Sequence, residues 1–113
     1  MADILKTSFT IVDNSSSEVD ILTAASNQTY TILSISICER AGADEAFNLY
    51  IRDDAGSNDY YIYDSQSLPA AATFIHSDKI ILLTSDVLSI KFDSAATAHV
   101  VIAYLDQEDY WLA

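Results

Sequence analysis

The stretch "DVLSIKFDSAATAHVVIAYLD", residues 86–106, decides the fold. Leu88, Ile90 and Phe92 alternate with Ser89 and Lys91. Such alternation marks a half-buried β-strand, because successive side chains point to opposite faces. The small residues of "DSAAT" break the pattern, and a second strand follows over 97–105. In that strand both faces are apolar: Val100, Ile102 and Tyr104 on one, Val101 and Ala103 on the other. A strand apolar on both sides is expected to be covered on both, and in a small sandwich the outer cover is a partner subunit. The alternative is scattered apolar surface of the kind every protein carries. The stretch contains no nucleophile of the catalytic kind and one histidine, so it is chemically quiet.

Working outward, the same period recurs. Strands are predicted near 6–12, 18–23, 29–39, 46–52, 59–64, 72–75, 79–84, 87–92 and 97–105, separated by polar turn clusters such as "DNSSSE", "RAGADE" and "DDAGSND". No window shows a helical stripe. The fold class is therefore all-β: an antiparallel β-sandwich or jelly roll of about 8–9 strands. Leu33, Ile35 and Ile37 are expected to share a buried face, as are Phe47, Leu49 and Ile51. Tyr61 and Tyr63 are expected on one side of their strand, opposite Tyr60 and Ile62. With two glycines in the chain, the turns must lean on Asn, Asp and Ser. Residues 1–106 read as a single sandwich domain, and 107–113 as a C-terminal acidic-aromatic tail.

Composition bounds the partners. The 113 residues hold 17 acids against 5 bases, a net charge of −12. Binding phosphate needs clustered Lys and Arg, so nucleic acid is excluded as a partner, and an anionic membrane surface is disfavoured for the same reason. The longest aliphatic run is "IILL", residues 80–83, too short to span a bilayer. The start, "MADILKTSF", lacks the basic and apolar regions of a signal peptide. The lone Cys38 cannot form an intrachain disulfide, which fits synthesis in a reducing cytosol.

Catalytic chemistry is not evident. His76 and His99 have no Cys or His neighbour at metal-ligand spacing and read as structural or surface residues. Cys38 reads as a small apolar residue near the core. No catalytic, cofactor-binding or metal-ligating residue is assigned. The best oxygen-rich loop is "RDDAGSNDYY", where Asp53, Asp54, Asn58 and Asp59 surround Gly56, but it lacks the closing Glu of an EF-hand and turn chemistry accounts for it equally. Tyr60, Tyr61 and Tyr63 offer rings for sugar stacking or for sheet packing. In the tail, Tyr110, Trp111 and Leu112 follow a run of acids. They either fold back on their own sheet or anchor in a neighbouring subunit, where buried Trp and Tyr carry much of the energy. The candidate partner contacts are accordingly Tyr110, Trp111, Leu112, Tyr61 and Tyr63.

Three segments resemble small β-sandwich virion proteins of tailed bacteriophages. "VDILTAASNQTYTILSISICER" is a strand, a polar turn and a long strand ending where such proteins often show Cys-Asn. "AFNLYIRDDAGSNDYYIYDSQSLPAAATF" is a strand, an acidic turn, an aromatic strand, then Leu-Pro-Ala and a Thr. "KIILLTSDVLSIKFDSAATAHVVIAYLD" closes with a strand ending in Tyr-Leu-acid. The resemblance covers residues 19–106. It departs at "AASNQ", where Pro-Ala-Gly is expected, and at "TSD", where a Gly often precedes the Asp. It implies a non-enzymatic virion structural protein, foremost a capsid decoration or stabilising protein, with a tail, neck or fibre component as the alternative. A carbohydrate-binding module is the reading from a different class. The implied partners are a major capsid protein or neighbouring structural subunits, with copies of itself in the particle. The implied location is the virion, assembled in the host cytoplasm.

Overall fold

The structure is a computed structural model that describes residues 3–53 and 58–108. Among these residues there is no helix, and nine strands follow in order: β1 (Asp3–Ser15), β2 (Val19–Thr23), β3 (Gln28–Glu39), β4 (Glu45–Arg52), β5 (Asp59–Leu68), β6 (Thr73–His76), β7 (Ile80–Leu82), β8 (Val87–Phe92) and β9 (Ala96–Glu108). They form an antiparallel β-sandwich. A five-stranded sheet runs β1-β9-β3-β6, with β7 also paired to β3, and a four-stranded sheet runs β2-β8-β4-β5. Every predicted strand is present. The first and last are longer than expected, 13 residues each, because they pair with each other from Asp3↔Gln107 to Ser15↔Ala96. β9 thus extends through Gln107 and Glu108, two residues into the segment assigned to the tail.

The stretch that decided the fold does not close on itself. β8 lies in the four-stranded sheet and β9 in the five-stranded one, so the turn between them carries the chain across the sandwich. β6 and β7 lie end to end along β3, β7 against Tyr30–Ile32 and β6 against Ile35–Cys38. Together they make one interrupted edge.

The core lies between the sheets. Ile32, Ile35 and Ile37 from β3 meet Phe47 and Leu49 from β4, Leu88, Ile90 and Phe92 from β8, and Val100 and Ile102 from β9. Phe47 is ringed by aromatics: Phe74 at 5.2 Å, Phe92 at 6.0 Å and Tyr63 at 6.3 Å between centroids. Tyr30 and Tyr104 pack at 4.8 Å elsewhere in the same core.

Two bulges correct the expected faces. In β3, Ile32 pairs with Tyr104 and Ser34 with Ala103, leaving Leu33 as the extra residue. The buried series is therefore Tyr30, Ile32, then Ile35 and Ile37, and Leu33 is only half-buried. In β5, Tyr63 pairs with Leu49 and Tyr61 with Tyr50, leaving Ile62 unpaired. A bulge shifts the phase of alternation by one residue, so Tyr61 and Tyr63 point to opposite faces. Left-handed backbone occurs in turns at Asn27, Gly42, Ala71 and Ser85, and at irregularities within β1 and β5 at Asn14 and Ser65. Asn and Ser thus supply most of what glycine usually does.

Candidate functional site: the outer face of the five-stranded sheet

β1 is inverted relative to an ordinary core strand. Its partners fix its faces: Val12, Thr10, Ser8 and Lys6 pair with Ala98, Val100, Ile102 and Tyr104, all buried between the sheets. Its inward side is therefore mostly polar. Lys6 Nζ donates to Asp106 Oδ2 at 2.7 Å, and this bond holds the ammonium above its usual pKa. Leu5, Phe9 and Ile11 point away from the core.

Those outward residues continue into cross-strand rows. Leu5 pairs with Leu105, which pairs with Thr31, which pairs with Ile81. Phe9 continues through Val101 and Ser36 to Ile75, and Ile11 through His99 and Cys38 to Thr73. Between them lies the short row Thr7, Ala103 and Ser34. Leu5 is 70% exposed, Phe9 75%, Ile11 66%, Ile75 64% and Ile81 57%. With Val101 these side chains present on the order of 600 Å² of apolar surface, at the top of the range for the largest patch on a monomer. No Asp, Glu, Lys or Arg occupies these ladder positions, although the chain carries −12. Asp3 and Asp13 flank the patch along β1.

The relief is uneven. β1 stands high with Leu5, Phe9 and Ile11. At its outward ladder positions β3 offers Thr29, Thr31, Ser34, Ser36 and Cys38, joined by the bulged Leu33, which is half-buried and not part of the core. Ile75 and Ile81 rise again at the far edge. Apolar side chains therefore run from β1 across to the far edge, with small polar ones set among them.

The outer face of the four-stranded sheet is the opposite in character. Arg52 binds Glu18 at 2.6 Å and Asp20 at 3.2 Å, and Ser89 Oγ donates to Asp20 at 2.9 Å. The Tyr50 hydroxyl donates to Glu18. Burial, followed by that hydrogen bond to the Glu18 carboxylate, pushes the Tyr50 pKa well above its usual value. Tyr61 is exposed and stacks on Tyr50 at 5.0 Å. Asn48, Ser65 and Asp93 form a second hydrogen-bonded cluster. This is a solvated, charged face.

The sequence candidates fall apart spatially. Tyr61 lies on the charged face. Tyr63 turns inward, where its hydroxyl lies 2.7 Å from His76 Nδ1 and its ring meets Phe74 edge-on at 4.9 Å. The tyrosines of β5 therefore make no common platform. His76 is buried and His99 exposed. Cys38 is not in the core: it sits half-buried on the outer face, paired with His99 and Thr73. Tyr110, Trp111 and Leu112 lie outside the described residues, as do Asp54 and Gly56 of the acidic loop. Among the described residues no group of three or more His, Cys, Asp or Glu is placed to hold a metal ion.

Sequence reasoning missed Glu39. Its carboxylate accepts from the backbone N–H of Ala71 at 2.7 Å, Ala41 at 2.6 Å and Gly42 at 2.9 Å. It ties the β3–β4 turn to the β5–β6 turn. These bonds, Ala71's first, hold the carboxyl below its usual pKa.

No protein-family model matches the chain, and no curated protein is similar to it in sequence. Solved structures of like fold exist. A chain of the acidic stable capsid of Helicobacter pylori bacteriophage KHP30 aligns with a TM-score of 0.59 and 6% identity, over 92% of this chain and 91% of that one. A chain of the Bacillus endospore appendages, described as disulfide-linked pili, aligns at 0.54 and 10% identity, over 94% and 88%. The Clostridium thermocellum xylanase 10B CBM22-1–GH10 modules, solved with xylohexaose, align at 0.53 and 18% identity, over 87% of this chain and 21% of theirs. At these identities the likeness is one of fold.

Proposed function

We propose that the protein is a non-enzymatic structural subunit of a phage virion, foremost one that decorates or stabilises the capsid exterior. The observation that carries this reading is the uncharged apolar face on an otherwise strongly acidic molecule. Such a face is costly to leave in water and is the feature of a surface made for contact. The fold shared with a phage capsid chain and with a pilus subunit chain supports a role in assemblies, as does the resemblance of residues 19–106 to virion sandwiches. Contacts repeated by symmetry multiply, so each can be modest in strength. The acidic remainder suits a position away from packaged DNA. Tyr61 and the 110–112 segment supply further contacts to neighbouring virion proteins in this proposal, and a tail, neck or fibre site uses the same surfaces.

The test is the composition of purified particles from the virus that carries the gene. The chain is expected in many copies per particle, and particles lacking it are expected to rupture at lower temperature. Absence from particles overturns the reading. A carbohydrate-binding module is the second reading, favoured by the exposed Tyr61 ring on Tyr50 and by the fold of the xylanase modules. Glycan-array binding abolished by Tyr61→Ala would establish it instead.

A further inference from the structure

Resting on the reading of the uncharged face as a contact surface, we infer that its occupant is a second copy of this chain, stacked face to face about a two-fold axis. Charge is the first argument. Both copies carry −12, so contact through any acidic surface sets like charges against each other. The four rows from Leu5 to Ile11 bring no Asp, Glu, Lys or Arg into such a contact, and the acids of β1 on this side, Asp3 and Asp13, lie beyond its two ends. Shape is the second. A two-fold contact requires a surface complementary to itself. This face can meet its own copy, because its cross-strand rows from Leu5 to Ile11 carry apolar and small uncharged side chains throughout. Stacked sheets pack about 10 Å apart, a spacing that lets such side chains interdigitate. Area is the third. The apolar patch alone approaches the roughly 800 Å² that each partner buries in a stable interface.

The experiment is sedimentation of the full chain over a concentration series, at low and high salt. The wild type is expected to form a dimer that tightens as salt screens the repulsion between copies. Phe9→Asp and Ile75→Asp each place a charge in the stacked face and are expected to weaken the dimer at least about tenfold. Both side chains are exposed in the single chain, so circular dichroism should be unchanged. Ser67→Asp, at an exposed position of β5 on the opposite sheet, should leave the dimer intact. The inference is overturned by a wild type monomeric up to about 100 μM, by a dimer indifferent to both aspartates, or by one that weakens as salt is raised. A monomeric wild type whose incorporation into particles is blocked by Phe9→Asp assigns the face to another virion protein. That result sinks self-association and leaves the structural role standing. A salt-tightened dimer absent from particles does the reverse.

Discussion

Phe47→Ala and Phe9→Ala remove the same ring from two strands and should have opposite consequences. Phe47 is 0% exposed, with the rings of Phe74, Phe92 and Tyr63 around it. Truncating a buried Phe costs the lost transfer energy plus that of the cavity left behind, about 3–5 kcal/mol in total. The neighbouring rings are rigid and held by sheets on both sides, so they cannot collapse into the void. The loss should fall near 4 kcal/mol, a large share of the 5–15 kcal/mol typical of a whole domain. Phe9 leaves most of its ring in solvent, and its removal should change stability by no more than about 0.5 kcal/mol. The assay is urea unfolding followed by circular dichroism, at a concentration low enough that self-association adds nothing by mass action. With a denaturant slope near 2 kcal/mol per M, Phe47→Ala moves the midpoint down by about 2 M. Phe9→Ala leaves it in place. The assignment of inside and outside fails if Phe9→Ala costs more than about 1 kcal/mol, or if Phe47→Ala costs less than that.

Other outcomes follow from the polar groups. The Glu39 carboxyl titrates below its ordinary 4.5 in the folded state. The unfolded chain therefore takes up its proton first as pH falls, and the stabilisation, complete above that value, is lost beneath it. Glu39→Gln should lower the neutral-pH melting temperature and flatten the acid limb of stability against pH; an unchanged acid limb would show that the carboxylate is not the clamp. Tyr50 works at the other end: its pKa is raised above 10.0, so its contribution is present below pH 10 and fades as pH rises beyond it. Tyr50→Phe should make the alkaline limb shallower in a pH series of melts. Chelation should leave the melting midpoint of the wild type unchanged, and a large drop with EDTA would point to a cation in the 53–59 loop.

Alternation told nearly everything about where the strands lie, and less about which way they face. Leu88, Ile90 and Phe92 were legible as a core face because their strand runs without a bulge to Phe92. Leu33 and Tyr63 were misplaced because a bulge needs no diagnostic residue; it is set by the partner strand, which local sequence does not display. The inversion of β1 was hidden for another reason. Leu5-Thr7-Phe9-Ile11 against Lys6-Ser8-Thr10-Val12 shows that two faces differ, not which one meets the core. The apolar outer residues of β9, Val101 and Ala103, were the visible half of the candidate site; the other half required the pairing of Phe9 with Val101. Glu39 escaped notice because its strongest donor, Ala71, lies 32 residues away across a turn.

The placement of charge explains how an apolar face on a 13-residue edge strand can be useful without being a hazard. Such strands invite indiscriminate pairing unless charge, bulges or cover blunt them. Asp3 and Asp13 flank the exposed stretch of β1, and the register breaks between Val12 and Ser15. On the other sheet, two carboxylates, Glu18 and Asp20, meet the one guanidinium of Arg52, so that face keeps a negative excess even where it is paired. A second molecule approaching there meets like charges within a few ångströms, each pair worth about 1 kcal/mol of repulsion in water at 4 Å and more as water leaves. Approach over the five-stranded sheet keeps the acids of the far sheet beyond the whole thickness of the sandwich. Sheets spaced by about 10 Å set those charges farther from the contact than acids on the contacting face would be, so they oppose it less, and added salt reduces what remains. Among the two sheet faces described, the acidic composition therefore disfavours contact through the four-stranded one and leaves the rows from Leu5 to Ile11 as the face with the least charge to oppose an approach.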